Sequence, residues 1–412
     1  MPGQLSINDR VVRRLRSAAD WRCSEAVVIF EADDWGLERR ACADFIQTFA
    51  VPGGWADEEL ETAEDLQHLY RVLERHRDVN GRPACFTANF VVANPDFEAI
   101  ARDRFRRYHD IPISQMTELK SQWREGLERK VFFPQYHGRS HFWCDAWLRD
   151  LRDGVPGARE MFDRRFHGGL SLAQGEDWRY HSEYTSWWTG EEKTGNELVT
   201  WLVEGIKIFQ ETFDFFPRST IATHYILTDA LAAAWCRAGG EFIQGTNYRI
   251  LRGAKSQPHF LAHTLGEPYA DGLLLMGRAV KFDPRPQRAE HGVRFAFRQI
   301  KRCFESRVPA VVDTHRINYT GRWGKASIEQ LDALLCALKP YRPRFLTSVE
   351  LGEAIRNNGA YRDHWTGEIA HLTPYQQTWR KLLRARFNAH NRTLAGQQST
   401  DLVDAGSVGL PG

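Results

Sequence analysis

The sequence predicts an α/β protein, a distorted (β/α) barrel of seven or eight mostly parallel strands carrying an aromatic-rich insertion. Three observations lead there. Eight short β-rich runs recur as far as about residue 349. Helical patterns separate several of them, which is the signature of parallel strands joined by crossovers. The runs are also too continuously apolar for half-exposed antiparallel strands and suit strands buried on both sides. A chain of 412 residues is long enough to bury the core such a fold needs.

In chain order the runs are "AVVIFEA" (26–32), "ACFTANFVV" (84–92), "VFFPQY" (131–136), "STIATHY" (219–225), "EFIQG" (241–245), "LLLM" (273–276), "PAVVDT" (309–314) and "RFLTSV" (344–349). Residues 63–78 read as a helix with Leu66, Leu69, Tyr70 and Leu73 on one face, and 327–339 carries a similar stripe. The long gap between the third and fourth runs holds "HGGLSLAQGEDWRYHSEYTSWWTG" and reads as an insertion over one end of the barrel, about residues 142–215. Residues 1–350 are thus expected to form the barrel. Residues 351–412 are expected to form a basic helical extension, "YQQTWRKLLRARFNAHNR", and a loose tail of the last 17 residues.

Composition removes several classes of function. The 55 Lys and Arg against 53 Asp and Glu give no pull toward nucleic acid or an anionic membrane, and no nucleic-acid-binding module is recognisable. No run approaches the roughly 18 apolar residues of a membrane span, and the charged N-terminus has no signal-peptide core, so a cytoplasmic location is expected. Seven scattered cysteines without CxxC spacing suit reduced thiols. The 14 Trp, 12 Tyr and 24 Phe offer flat faces on which sugars stack, although most such rings belong to cores.

The chemistry-bearing residues gather at strand ends. Asp33 and Asp34 follow the first run, with Gly36 just beyond; adjacent strand residues face opposite ways, so both reach one pocket only if the strand has ended. The competing reading is a helix N-cap before "LERRACADFIQTF". Two His pairs stand four apart, the spacing that puts two imidazoles on one helical face. With 15 His, chance supplies about half of one such pair, so context decides. His137 and His141 in "HGRSH" directly follow a buried run, whereas His259 and His263 lie between prolines and read as surface or structural. His315, in "DTHRINYTG", closes another run, again where barrel active sites are built.

Taken together, "EADDWG", "HGRSH" and "DTHRINYTG" resemble, in order and spacing, the motifs of the polysaccharide deacetylases, the NodB-homology or carbohydrate esterase family 4 hydrolases, over roughly residues 24–350. The resemblance implies that Asp34, His137 and His141 hold a divalent ion, zinc first and cobalt or nickel otherwise, with Asp33 as general base and His315 as general acid. It implies removal of N- or O-acetyl groups from a sugar or glycan. A catalytically impaired carbohydrate-binding or assembly protein on the same barrel is the alternative. Trp35, Asn89, Arg218, Tyr225 and Arg278 are expected to line the substrate, and Asn94 with them. The chain departs from the family in having Glu31 and Ala32 before the Asp pair, and in lacking a clean Arg-x-Pro-Tyr motif near Arg218 and Tyr225; Arg278 is the other candidate to orient the base, and Asp283 or Asp313 to tune His315. Glu31 has no assigned role. An amidohydrolase reading fails for want of any His-x-His.

Overall fold

A computed structural model describes residues 19–39, 58–155, 157–167, 180, 182–185, 191–252, 258–269 and 272–375. The segment expected to form a helix after the Asp pair, most of the Gly- and aromatic-rich stretch at 168–190, and the basic extension and tail beyond residue 375 lie outside these residues. The main sheet is ten-stranded. Along the chain its strands are β1 (Val27–Trp35), β2 (Phe86–Phe90), β3 (Phe132–Tyr136), β4 (Ser219–Ile221), β5 (Phe242–Gly245), β6 (Glu267–Pro268), β7 (Leu274–Gly277), β8 (Val280–Lys281), β9 (Ala310–His315) and β10 (Arg344–Phe345).

The order is β6-β7-β5-β4-β3-β2-β1-β9-β8, with β10 pairing the start of β1. Every pairing is parallel except that of β6 with β7. Parallel strands must be covered on both faces, and β1, β2 and β3 are buried at every position. Among the described residues the strand pairings form an open path rather than a closed ring. Its ends meet through the chain itself, because β7 and β8 are separated only by Arg278 and Ala279. The Arg278 N–H donates to Gly245 of β5 at 2.8 Å, and the Ala279 N–H to Val311 of β9 at 3.0 Å. Arg278 therefore stands where the two ends of the sheet face each other.

Each apolar run contributes a strand, but two are shorter than expected. The run at 219–225 stops at Ile221 and turns through Thr223–Tyr225, with His224 at φ +54° and Tyr225 at φ +62°. The run at 344–349 pairs for two residues before Thr347 caps a helix. β6 and β8, short edge pieces, have no apolar run to announce them.

The covering helices include α1 (Ala63–Arg75), α2 (Thr117–Glu128), α3 (Cys144–Asp153), α4 (Gly195–Phe213), α5 (Asp229–Arg237), α6 (Val293–Glu305), α7 (Gly321–Leu338) and α8 (Ser348–Arg356). α1 begins at a capping box in which Thr62 and Asp65 satisfy each other's backbone N–H, and buries Leu66, Leu69, Tyr70 and Leu73. The described aromatics between β3 and β4 are largely core: Phe142, Trp143, Trp147, Phe162 and Tyr180 form one cluster with Phe97 and Phe105. No described helix is long and apolar enough to cross a membrane. The described cysteines are free thiols.

Candidate active site

Asp33 and Asp34 are both buried near the end of β1, but the strand has not ended there. β1 continues through Trp35, and its register against β2 shifts between Ala32 and Trp35. Asp34 sits in this bulge at φ +74°, a left-handed conformation that a side chain other than glycine's adopts at a cost. The bulge breaks the alternation of faces, so that neighbours in sequence become neighbours in the site. Both carboxylates are buried, and neither caps a helix among the described residues.

His137 and His141 are brought together by a loop rather than a helix. The chain leaves β3 and turns at Gly138 (φ +108°), then His141 takes φ +70°. The two imidazole Nε2 atoms lie 3.2 and 3.1 Å from Asp34 Oδ1. Two donors each about 2.05 Å from one tetrahedral ion stand about 3.3 Å apart, close to these separations. Asp34 Oδ1 is buried and accepts no hydrogen bond of good geometry, so this oxygen and the two imidazole nitrogens face one point. His137 Nδ1 lies 3.0 Å from the Ile221 carbonyl, which fixes the tautomer that leaves Nε2 free. The donor set fits a divalent ion such as zinc. Burial pushes the Asp34 carboxyl up, but the charge of His141 and the close approach of both imidazoles hold it well below the ordinary range. Burial is the largest influence on both imidazoles: it lowers His141, whereas at His137 the Asp34 contact, the Asp33 and Asp34 charges and the Ile221 carbonyl together outweigh it and raise the pKa.

Beside this cluster Arg278 is buried among three carboxylates. It forms a two-pronged pair with Asp33, Nη1 to Oδ2 at 2.7 Å and Nη2 to Oδ1 at 2.6 Å. Its Nε donates to Glu31 at 2.6 Å, and Nη1 also donates to Asp313 at 2.8 Å. Glu31, on the same strand face as Asp33, in turn accepts the Ser348 hydroxyl at 2.6 Å. The Asn89 amide donates to Asp33 Oδ1 at 2.7 Å and exchanges hydrogen bonds with Gln244. Burial raises the Asp33 carboxyl, but the charge and hydrogen bonds of Arg278 override it and bring it to about 2. Glu31 goes the other way: burial raises it further than Arg278 and Ser348 pull it down.

Three of Asp33's four lone-pair sites are therefore occupied, and the free one is on Oδ2. His315 faces that oxygen, its Nε2 at 3.8 Å from Oδ2 and its Nδ1 at 3.8 Å from Asp313. Tyr225 is half-buried at the same place, its hydroxyl 3.4 Å from Arg278 Nη1, and burial with the nearby Asp313 charge pushes that hydroxyl well above its ordinary range. Sequence reasoning did not find His224, whose ring lies 5.0 Å from that of His141, or Glu183, which accepts backbone N–H groups of the histidine loop. His224 stands inside a strand-like run, and a carboxylate that binds backbone leaves no side-chain pattern to read.

Other expected lining residues lie elsewhere. Trp35 points away from the site into the core, edge-on to Phe132 at 4.8 Å, because the bulge turns Asp34 inward and the next side chain outward. Arg218 precedes β4 at the strand's opposite end, paired with Glu241 and Glu353. Asn89 is fully buried and holds Asp33 rather than facing open space, and Asn94 ties Gly36 and Glu38 of the loop after β1. Asp283 pairs with Arg285. His263 is buried, with Nε2 2.7 Å from the Thr246 carbonyl, a structural placement; the His259 side chain is outside the description.

Fold and site together define an α/β protein with a mostly parallel sheet and a buried Asp/His/His cluster next to an arginine-held carboxylate. No protein-family model and no curated protein sequence matches the chain. Solved structures that resemble it include a pseudoenzyme of carbohydrate esterase family 4 from Bacillus anthracis, at 8% identity and TM-score 0.35, covering 79% of this chain and 65% of that one. A peptidoglycan deacetylase from Bacillus subtilis gives 7% identity and TM-score 0.35 over 81% and 93% of the two chains. A putative polysaccharide deacetylase from Mycobacterium smegmatis gives 11% and 0.36 over 81% and 92%.

Proposed function

We propose that this chain is a metal-dependent hydrolase that removes N- or O-acetyl groups from a carbohydrate, on a distorted (β/α) barrel. The observation that carries the reading is the orphaned Asp34 Oδ1 facing two imidazole nitrogens, with Asp33 next to it clamped by Arg278. Asp34, His137 and His141 are the proposed ligands. A divalent ion held there would polarise an acyl carbonyl and make a water acidic near neutral pH. Asp33, adjacent to the ligands yet turned to Arg278, is the proposed base, receiving a proton at the open site on Oδ2. His315, 3.8 Å from that oxygen, is the proposed acid that delivers a proton to the departing amine or alkoxide. Tyr225, half-buried beside Arg278, is the proposed substrate contact.

A second reading, a carbohydrate-binding protein without turnover, is favoured by the low basicity of Asp33, held at about 2. Two measurements separate them. Elemental analysis of purified protein should find about one zinc, cobalt or nickel per chain, lost in the His137→Ala, His141→Ala variant; equal metal in both proteins rules out the ligand assignment. Acetate release from acetylated chitooligosaccharides and O-acetylated glycans should then fall about 10²- to 10⁴-fold in Asp33→Asn with metal content unchanged. A metal-loaded wild type that releases no acetate from any of them leaves the binding reading.

A further inference from the structure

We propose that Glu183 is the positioning residue of the two-histidine loop: its carboxylate is the anion around which the Gly138–His141 backbone folds, and it aims His141 at Asp34. Three successive backbone N–H groups converge on it. Arg139 donates to Oε1 at 3.0 Å, and Ser140 and His141 donate to Oε2 at 2.6 and 3.0 Å. The Ser140 hydroxyl adds a fourth bond to Oε2 at 3.2 Å. Consecutive N–H groups that turn inward as the chain enters the left-handed region make a concave anion site, and here His141 is the left-handed residue. Without an anion these N–H dipoles would point at one another in a buried pocket, so the carboxylate is what makes this loop conformation favourable. Glu183 is fully buried and has no ion-pair partner among the described residues.

The loop is closed on Glu183 so tightly that a Cβ at Gly138 would stand 2.5 Å from Oε1. Gly138 must therefore be glycine both for its φ of +108° and for this approach. Glu183 also joins a second loop of the site, its own N–H donating to Thr223 Oγ1 at 3.3 Å, one residue before His224. It thus links the segment between β3 and β4 to two strand-end loops of the sheet. His141 owes its direction to that link, since its N–H is one of the three.

This inference rests on the proposed metal site, and cobalt binding to the chelator-stripped protein tests both separately. Glu183→Gln keeps the shape of the side chain. Whichever way its amide turns, its NH2 meets the N–H of Arg139 or those of Ser140 and His141. The expected result is a loss of about 10- to 100-fold in Co²⁺ affinity, the usual effect of removing a group that orients a ligand. Tyr180→Phe serves as the control for stability alone: it removes the hydroxyl contact with Asp150 in the same segment and should lower the melting temperature without changing Co²⁺ affinity. Should Glu183→Gln fail to fold, Gly138→Ala asks the same question with the carboxylate in place, and the same loss is expected. Wild-type affinity in a folded Glu183→Gln or Gly138→Ala protein overturns the role of Glu183 and leaves the metal site standing. A wild type that binds no Co²⁺ instead overturns the metal site and the function proposed from it.

Discussion

Arg278 makes the charge arithmetic of the site work. Three buried carboxylates within hydrogen-bond reach of one guanidinium leave an excess of negative charge, which only a group with donors in a fixed planar fork can distribute among three partners. Lysine carries the same charge but not the fork. On the proposed function, Arg278→Lys should therefore retain metal, since Arg278 touches none of the three proposed ligands, while lowering turnover about 10²-fold through misplacement of Asp33. Turnover equal to wild type in a metal-loaded Arg278→Lys protein would falsify the orienting role. The residues of this site differ in how far sequence revealed them. Asp33 and Asp34 were readable because they are adjacent and the only such pair; His137 and His141 because they follow an apolar run. Glu31 was not, because its explanation is a residue 247 positions away at the seam of the sheet. The motif-based guess for the orienting arginine was divided between Arg218 and Arg278, and only the crossing of the chain between β5 and β9 places Arg278 at the centre.

At the scale of elements, apolar runs identify strands well and their last residues poorly, and active sites are made of those last residues. The β1 bulge, the turn after β4 and the histidine loop each depend on non-glycine residues in the left-handed region, Asp34, His141, His224 and Tyr225, which an apolar run does not announce. The run "RFLTSV" departs from a strand for a different reason: Thr347 and Glu350 form a capping box, a helix-start signal hidden by the β-rich residues around it. Packing behind the histidine loop yields a prediction. α4 crosses the end of β3 at Gly205, where an added Cβ would fall 2.2 Å from the Tyr136 hydroxyl. Tyr136 directly precedes His137 and is stacked on Trp235 at 5.9 Å, so it has little room to retreat. Alanine is the better helix former by about 1 kcal/mol, yet overpacking costs about 1–3 kcal/mol, and with the ring held in place the steric cost wins. Gly205→Ala should lower the urea midpoint and weaken Co²⁺ binding by displacing His137. Gly154→Ala, whose Cβ would meet nothing within 4 Å, should leave Co²⁺ binding as it is. A stabilised Gly205→Ala protein would show that α4 can move away from β3.

For the whole molecule, the response to acid follows from which buried groups the fold keeps in which charge state. His364 stacks flat on Phe133 at 4.3 Å, its Nδ1 3.1 Å from the Thr347 hydroxyl, and burial lowers its pKa despite the nearby Glu350 and Glu353 charges. Its unfolded value is about 6.5. The folded protein therefore binds fewer protons there than the unfolded chain, so stability rises with pH through this window and is complete above about 6.5. As pH falls below that value the contribution is lost, with a limiting slope of about 1.4 kcal/mol per pH unit. His167, fully buried and held well below its ordinary range, adds in the same direction. Asp33 acts in a separate window. Asp33, depressed to about 2, contributes stability above its unfolded value of about 3.9 that disappears only as pH falls toward 2. Urea midpoints measured between pH 5 and 8 should thus decline below about 6.5, well above the range in which Asp33 protonates. His364→Gln removes the titrating ring and should flatten part of that decline while lowering stability at pH 8, where the stacking on Phe133 is lost. A decline of unchanged steepness in the variant would assign the acid sensitivity to other groups, with the buried His167 as the next to substitute.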